Sequence, residues 1–311
     1  MKRTCFLALI AFCLGLASCT PKPTGVAQDI NTTDSVCFIV LGDWGVGGSA
    51  AQRSVAAVMD SISRRFRAQF IITTGDNFYS TGVTSTEDGH WQKSFETVYD
   101  KEGHMLPWYP TLGNHDYNGS ITAQMQYSKK SNRWRLTAPY YALKKKAGKA
   151  SVVFAFADMN PFIKSYYNHP MPELKHQDTA AQYKWLEATL SAPADWKIMV
   201  GHQPLYSVGS HGSSQELINR FKPLLLRTGT QFYLAGHDHN LQHIKHSNEP
   251  VHYLVSGGGG RGLYALKATD ASTRFARSSH GFLLMTFYAD KAHFYFFNEK
   301  GELLYSQQVR K

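Results

Sequence analysis

Cysteine is scarce in this chain: there are four among 311 residues, at positions 5, 13, 19 and 37. Beyond position 19 only Cys37 remains, so the body of the chain has no pair for an internal disulfide and is not a disulfide-stapled scaffold. Cys37 lies within the apolar run VCFIVL and is expected to be a buried core thiol. The apolar run from Cys5 to Leu16 is too short to cross a bilayer as a helix. No internal repeat recurs at a fixed period, and nothing beyond residue 35 is low in complexity. No G-x-S-x-G turn is present, so a serine nucleophile on a strand-to-helix elbow is not indicated. Acidic residues are the minority, 23 against 33 Lys and Arg, for a formal net charge of +10. That balance attracts anionic partners. Its local clusters, SRRFR at 63–67 and KKKAGK at 144–149, lack the interleaved aromatics of a nucleic-acid groove, so no nucleic-acid partner is expected. The second cluster reads as a solvated hairpin tip.

What is present begins with a leader. MKRTCFLALIAFCLGLASCT has a basic start, an apolar run and small residues before Cys19, the pattern of a secretory signal. Leu16-Ala17-Ser18-Cys19 resembles a bacterial lipobox, which implies cleavage before Cys19 and a lipid on its thiol. Three segments are therefore expected: a signal peptide over 1–18, a lipidated Cys with a polar tether over 19–35, and one body over 36–311. Loss of Lys2 and Arg3 would leave the mature chain at +8. The expected location is outside the cytoplasm, periplasmic or at the cell surface, anchored to a bacterial membrane through Cys19.

The body alternates strand-like and helix-like segments. Short apolar runs at 36–41, 70–74, 152–157, 197–200 and 232–234 read as strands. Residues 50–65, 90–99, 179–190 and 215–227 read as helices, with Trp185 and Leu186 on an inner face. The tail, VHYLVSGGGG, GFLLMTFYAD and AHFYFFNEKGELLYSQQV, reads as antiparallel strands forming a second sheet. The expected class is α/β: a two-sheet β-sandwich flanked by helices.

Five apolar runs end alike, in glycine followed by a polar residue: Gly42-Asp43, Gly75-Asp76, Gly113-Asn114, Gly201-His202 and Gly236-His237. Ligands of open α/β sheets bind beyond the carboxyl ends of strands. The glycine lets the backbone turn sharply there. Carboxylates and imidazoles gathered at strand ends need partners, and the partner they share is metal. Asp43, Asp76, Tyr79, Asn114, His202, His237 and His239 exceed what one ion takes while still holding water, which points to two ions, with a carboxylate bridging them. His237 and His239 lie two apart; in extended chain both would face the cluster, one to each ion, with Asp238 pointing away.

GDWG (42–45), GDNFY (75–79), GNHD (113–116), GHQP (201–204) and GHDHN (236–240) resemble, in order, the five motifs of the purple acid phosphatases, most closely the small tartrate-resistant type. The resemblance runs from about Val36 to about Tyr305 and makes 36–311 a metallophosphoesterase catalytic domain. It implies Asp43, Tyr79 and His239 on a first ion, Asp76 bridging, and Asn114, His202 and His237 on a second. A phenolate from Tyr79 is a hard anion suited to a trivalent cation, which implies Fe(III) in the first site. The second ion would be divalent: Fe(II), Zn(II) or Mn(II).

The activity implied is hydrolysis of phosphate monoesters, small phosphorylated compounds and phosphopeptides, by hydroxide ionised on the metals, in an acidic working range. His115 and His211 match outer histidines of the family that orient phosphate and assist the leaving group; Asp116, next in sequence, is expected to hold His115 in one tautomer. The loop at 160–178 takes the place of one that overhangs the site in the tartrate-resistant type. Gly257–Gly260 reads as a tight connection near the site, and the other histidines, His243 and His252 among them, as surface or structural. The alternatives are a phosphodiesterase or nucleotide pyrophosphatase on the same cradle, and a binding lipoprotein without turnover. A monomer is expected.

Overall fold

The computed structural model describes residues 34–169, 171–267 and 269–311. The expected signal segment over 1–18, Cys19 and nearly all of the expected tether over 19–35 lie outside the described residues. The first half of the fold comprises β1 (Val36–Leu41), α1 (Ala50–Phe66), β2 (Phe70–Thr73), β3 (Trp108–Pro110), α2 (Ile121–Tyr127), β4 (Tyr141–Ala147) and β5 (Ala150–Phe156). The second comprises α3 (Thr179–Ser191), β6 (Trp196–Val200), α4 (Gln215–Thr228), β7 (Phe232–Ala235), β8 (Leu241–Ile244), β9 (His252–Ser256), β10 (Thr273–Arg277), β11 (Gly281–Phe287), β12 (Lys291–Asn298) and β13 (Leu303–Arg310).

Strand β1 shows why these elements layer. It is buried at every position, and its side chains alternate: Val36, Phe38 and Val40 enter one core, Cys37, Ile39 and Leu41 another. A strand apolar on both faces must be covered on both. It lies inside a six-stranded sheet of order β13-β12-β11-β1-β2-β3, which faces a seven-stranded sheet of order β10-β8-β9-β7-β6-β5-β4. Between the sheets, Phe38 and Phe70 meet Phe154 edge-on, and Phe287 meets Phe232. Burying an aromatic or branched side chain of this kind contributes roughly 1.5–3 kcal/mol. The outer face of the six-stranded sheet is covered by Val55, Met59 and Ile62 of α1, and that of the seven-stranded sheet by α3 and α4 through Leu186, Leu190, Phe221 and Leu225. The two-sheet sandwich flanked by helices is thus the observed architecture, and Cys37 is a free, buried thiol pushed up to about 12 by burial.

Several expectations need correction. The tail does not form a sheet of its own. Strands β11, β12 and β13 extend the first sheet, with β11 antiparallel to β1, while β9 runs parallel to β7 in the second. The reason is that β1 needs a partner on each side to satisfy its backbone, and the chain returns to supply it. Residues 90–99 hold a single wide turn at Trp91–Glu96 rather than a regular helix. Trp185 is half-buried against Tyr140, while Leu186 is fully buried. Lys144, Lys145 and Lys146 lie within edge strand β4 rather than at the hairpin tip, which suits an edge that must not pair further.

Candidate metal centre

Parallel strands β1, β2 and β3 end at one rim and deliver Asp43, Asp76 with Tyr79, and Asn114. Parallel strands β6 and β7 end at the facing rim and deliver His202, His237 and His239. The block glycines serve space more than conformational freedom. A Cβ on Gly113 would lie 2.1 Å from Asp76 Oδ1, and one on Gly236 2.5 Å from Asp43 Oδ2. Of the block glycines only Gly75 has positive φ, at +92°. The left-handed backbone falls instead on candidate ligand residues: Asp43 (φ 60°), Asp76 (φ 49°) and His237 (φ 68°), three of the four non-glycine residues with positive φ among those described. Such conformations are costly and persist where the surroundings over-determine them. They also correct the expectation of extended chain at 237–239. Asp238 N bonds Gly236 O (2.8 Å) and Asn240 N bonds Asp238 O (2.7 Å), so the loop is two tight successive turns. Both imidazoles still face inward, and Asp238 points away to accept from Ser207 Oγ (2.5 Å).

Two donor groups emerge, Asp43–Asp76–His239 and Asp76–His202–His237, each with ligand atoms within 4.8 Å of one another. Asp76 belongs to both. Tyr79 Oη lies 2.9 Å from Asp43 Oδ1, 2.7 Å from Asp76 Oδ2 and 3.1 Å from His239 Nε2. Asn114 Oδ1 lies 3.2 Å from His202 Nε2, and His202 Nε2 3.2 Å from His237 Nδ1. Bonds of about 2.1 Å at right angles put neighbouring donors roughly 3 Å apart around one cation. One phenol proton cannot serve two carboxylates at once. The far ring nitrogens are anchored: His202 Nδ1 donates to Thr74 O (2.7 Å) and His239 Nδ1 to Gly262 O (2.6 Å), which turns each Nε2 inward.

The electrostatics show what the cluster lacks. Burial pushes Asp43 well above the carboxylate range, with the charge of Asp76 adding to it. Burial raises Tyr79 as well, reinforced by both carboxylates. Burial would hold His202 neutral, yet Asp76 and Asp43 carry it up to about 9. Burial opposes ionisation of Asp76 too, but the His202 charge takes it below the usual range. Three groups thus hold protons more tightly than normal: Asp43 and Tyr79 because burial disfavours their anions, and His202 because two carboxylates face it. Cations would displace those protons, which is how ligand sites load. His239, lowered to about 4 by burial, stays a neutral donor well into the acid range.

Around this centre the structure places the outer histidines. His115 Nε2 is 4.0 Å from Asp76 Oδ2, and its ring packs on Tyr79 with centroids 4.5 Å apart. Its tautomer is set by Ser80, whose carbonyl accepts from Nδ1 at 2.5 Å, and not by Asp116. Asp116 is turned inward, where it accepts from Gly113 N (2.8 Å) and Gln124 Nε2 (2.8 Å) and shapes the loop. His211 stacks on His237 with centroids 4.0 Å apart, held by its backbone N donating to Asp238 Oδ1 (2.9 Å). Beside these two rings opens a cleft of about 390 Å³, walled by Tyr166 of the 160–178 loop and by Gln203. Gly259 N bonds Gly42 O (2.9 Å), so the glycine run is a tight connection at the site. Sequence reasoning missed Tyr264, which stacks on His239 (4.0 Å, 11°), and Arg261, whose guanidinium lies over the Tyr79 ring (4.9 Å).

The Calcineurin-like phosphoesterase family matches residues 38–241. Purple acid phosphatase 17 of Arabidopsis thaliana is 33% identical over 89% of this chain and 85% of its own length. Tartrate-resistant acid phosphatase type 5 of Oryctolagus cuniculus is 32% identical over 84% of this chain and 82% of its own. In three dimensions the chain is similar to GAP50, the anchor in the inner membrane complex of Plasmodium, with a TM-score of 0.78, 24% identity and 89% of each chain covered; this likeness concerns the fold alone.

Proposed function

Because the chain belongs to the purple acid phosphatases, within the calcineurin-like phosphoesterases, we propose that it is a metal-dependent acid phosphatase that hydrolyses phosphate monoesters at a dinuclear centre. The observation that carries this reading is the pair of donor groups sharing Asp76, with Tyr79 against one of them. The donor set fits Fe(III) beside Tyr79, Asp43 and His239, and a divalent ion, Fe(II), Zn(II) or Mn(II), beside Asn114, His202 and His237. Such a pair, when bound, supplies ionised water for attack and neutralises the charge of the phosphoryl group.

The chain's own residues do the rest. The Ser80 carbonyl fixes a proton on His115 Nδ1, so Nε2 is the atom that exchanges a proton with the leaving oxygen. His211, seated on His237 at the cleft, is placed to hold the phosphoryl group. Asn114 Oδ1 and His202 Nε2 converge on the second site. Tyr166 and Gln203 wall the cleft where a leaving group leaves. The second reading is a binding protein without turnover. The complete donor set argues against it here. Export, a lipid anchor at Cys19, action as a monomer, and small phosphorylated substrates including phosphopeptides belong to the same proposal. Among the described residues no helix is long and apolar enough to cross a membrane.

The test is to compare p-nitrophenyl phosphate with its bis ester at acidic pH on metal-loaded protein. The monoester should be the better substrate by at least about tenfold, and His115→Ala should lower kcat about 10²–10⁴-fold. A faster bis ester would make the chain a phosphodiesterase; no turnover of either would leave the binding reading.

A further inference from the structure

The segment after β9 is tied to the centre at three points. Arg261 N donates to Asp43 O (3.0 Å), Gly262 O accepts from His239 Nδ1 (2.6 Å), and Tyr264 N donates to His239 O (3.1 Å). Tyr264 then stacks on His239 and turns its edge toward His211, with centroids 5.2 Å apart. This fastening holds the backbone from which two cations project. The Arg261 guanidinium lies over the Tyr79 ring. Lys267, whose backbone N donates to Val208 O (2.7 Å), brings its Nζ to 3.3 Å from where a Cβ on Gly212 would stand, next to His211. Both side chains are exposed, and neither forms an ion pair with a carboxylate among the described residues. Residues 257–269 contain no Asp or Glu.

An unpaired guanidinium fastened at the rim of an anion-binding site is set to receive an anion, because a planar fork matches a carboxylate or phosphate in two bonds. The Arg261 guanidinium lies over the face of Tyr79, whose Oη is one of the donor atoms gathered at the centre. A guanidinium held beside the centre rather than among its donor atoms is placed to meet a substituent of the substrate instead of the phosphoryl group itself. Resting on the phosphatase reading, we propose that Arg261, seconded by Lys267, is the specificity-determining residue that binds a second anionic group of the substrate, a carboxylate or phosphate close to the scissile ester. The reaction is unchanged: the P–O ester bond breaks, water supplies the oxygen that stays on phosphorus, and the alcohol leaves with a proton.

Two substrates with the same skeleton test this: 3-phosphoglycerate, which carries a carboxylate, and glycerol 3-phosphate, which does not. The wild type is expected to favour 3-phosphoglycerate through KM. In Arg261→Gln the KM for 3-phosphoglycerate should rise about 10–100-fold, the worth of a charged hydrogen-bonded pair, with kcat changed less than about threefold. The KM for glycerol 3-phosphate should move no more than about threefold. Arg261→Lys should recover part of the preference, and Lys267→Gln should lose less of it than Arg261→Gln. Metal content and visible spectrum, measured on each variant, should match the wild type. Equal losses on both substrates, or loss of metal from Arg261→Gln, would place Arg261 in the support of the centre and overturn the inference. A wild type that hydrolyses both esters without preference would overturn it too, leaving the phosphatase reading intact. A wild type that hydrolyses neither would strike at that underlying reading instead.

Discussion

The two sheets contribute different chemistry to one site. The six-stranded sheet supplies every oxygen donor: Asp43, Asp76, Tyr79 and Asn114. The seven-stranded sheet supplies every imidazole: His202, His237 and His239. Anionic oxygens gathered on one rim alone would repel one another, and imidazoles alone would not hold a trivalent ion. Placed face to face, each donor group contains side chains from both sheets. Ions held there would cross-link the sandwich at the rim where its apolar core ends, and the site would then also be a structural joint.

Removing the shared donor is the most severe way to break this arrangement. Asp76→Ala should lose both ions, as read by metal analysis, and drop kcat/KM at least about 10³-fold, since the electrostatic stabilisation of the transition state goes with them. Next, substitutions on opposite sheets should be separable: His202→Ala is expected to lose the second ion while keeping the first and its colour. Tyr79→Phe is expected to keep both ions and lose the visible charge-transfer band, read by absorption spectroscopy.

If the ions join the sheets, metal should stabilise the fold as well as activate it. A ligand at 100 times its Kd adds about 2.7 kcal/mol, so stripping the metals should lower the melting temperature by several degrees, recovered on adding them back. No change in melting would leave a catalytic site without the structural joint.

The smallest effect separates imidazoles of the seven-stranded sheet from one another. His202 faces Asp76 and is pushed up to about 9, whereas His243 and His252, in mutual contact at 3.0 Å, are lowered by burial to about 3 and about 4. Burial disfavours their charged forms, so the unfolded chain takes up protons that the folded chain refuses. Stability is full above the ordinary histidine range near pH 6.5 and falls as pH drops toward 4. The unfolding free energy of His252→Asn, from denaturant titrations, should fall less steeply across that window, by roughly 1–2 kcal/mol; a parallel slope would remove these histidines from the acid response.

Five of the seven candidate ligands, all but Tyr79 and His239, were legible because each stands at the end of an apolar run behind a glycine, a pattern that Gly42-Asp43 and Gly201-His202 share despite coming from different sheets. Pairing was less so. The tail strands are apolar and regular, and nothing local tells β11 to join β1 or β9 to join β7. Adjacency misled at Asp116, because a backbone carbonyl 35 residues away, that of Ser80, reaches His115 first. Arg261 and Tyr264 lie in a stretch without periodicity, and only the glycines before them hinted at closeness to the site.

The most direct measurement is metal analysis with a visible spectrum on the purified wild-type chain. Two metal ions per chain are expected, one of them iron, with a charge-transfer band from Tyr79. A colourless protein that binds a single ion per chain would contradict the bridged pair.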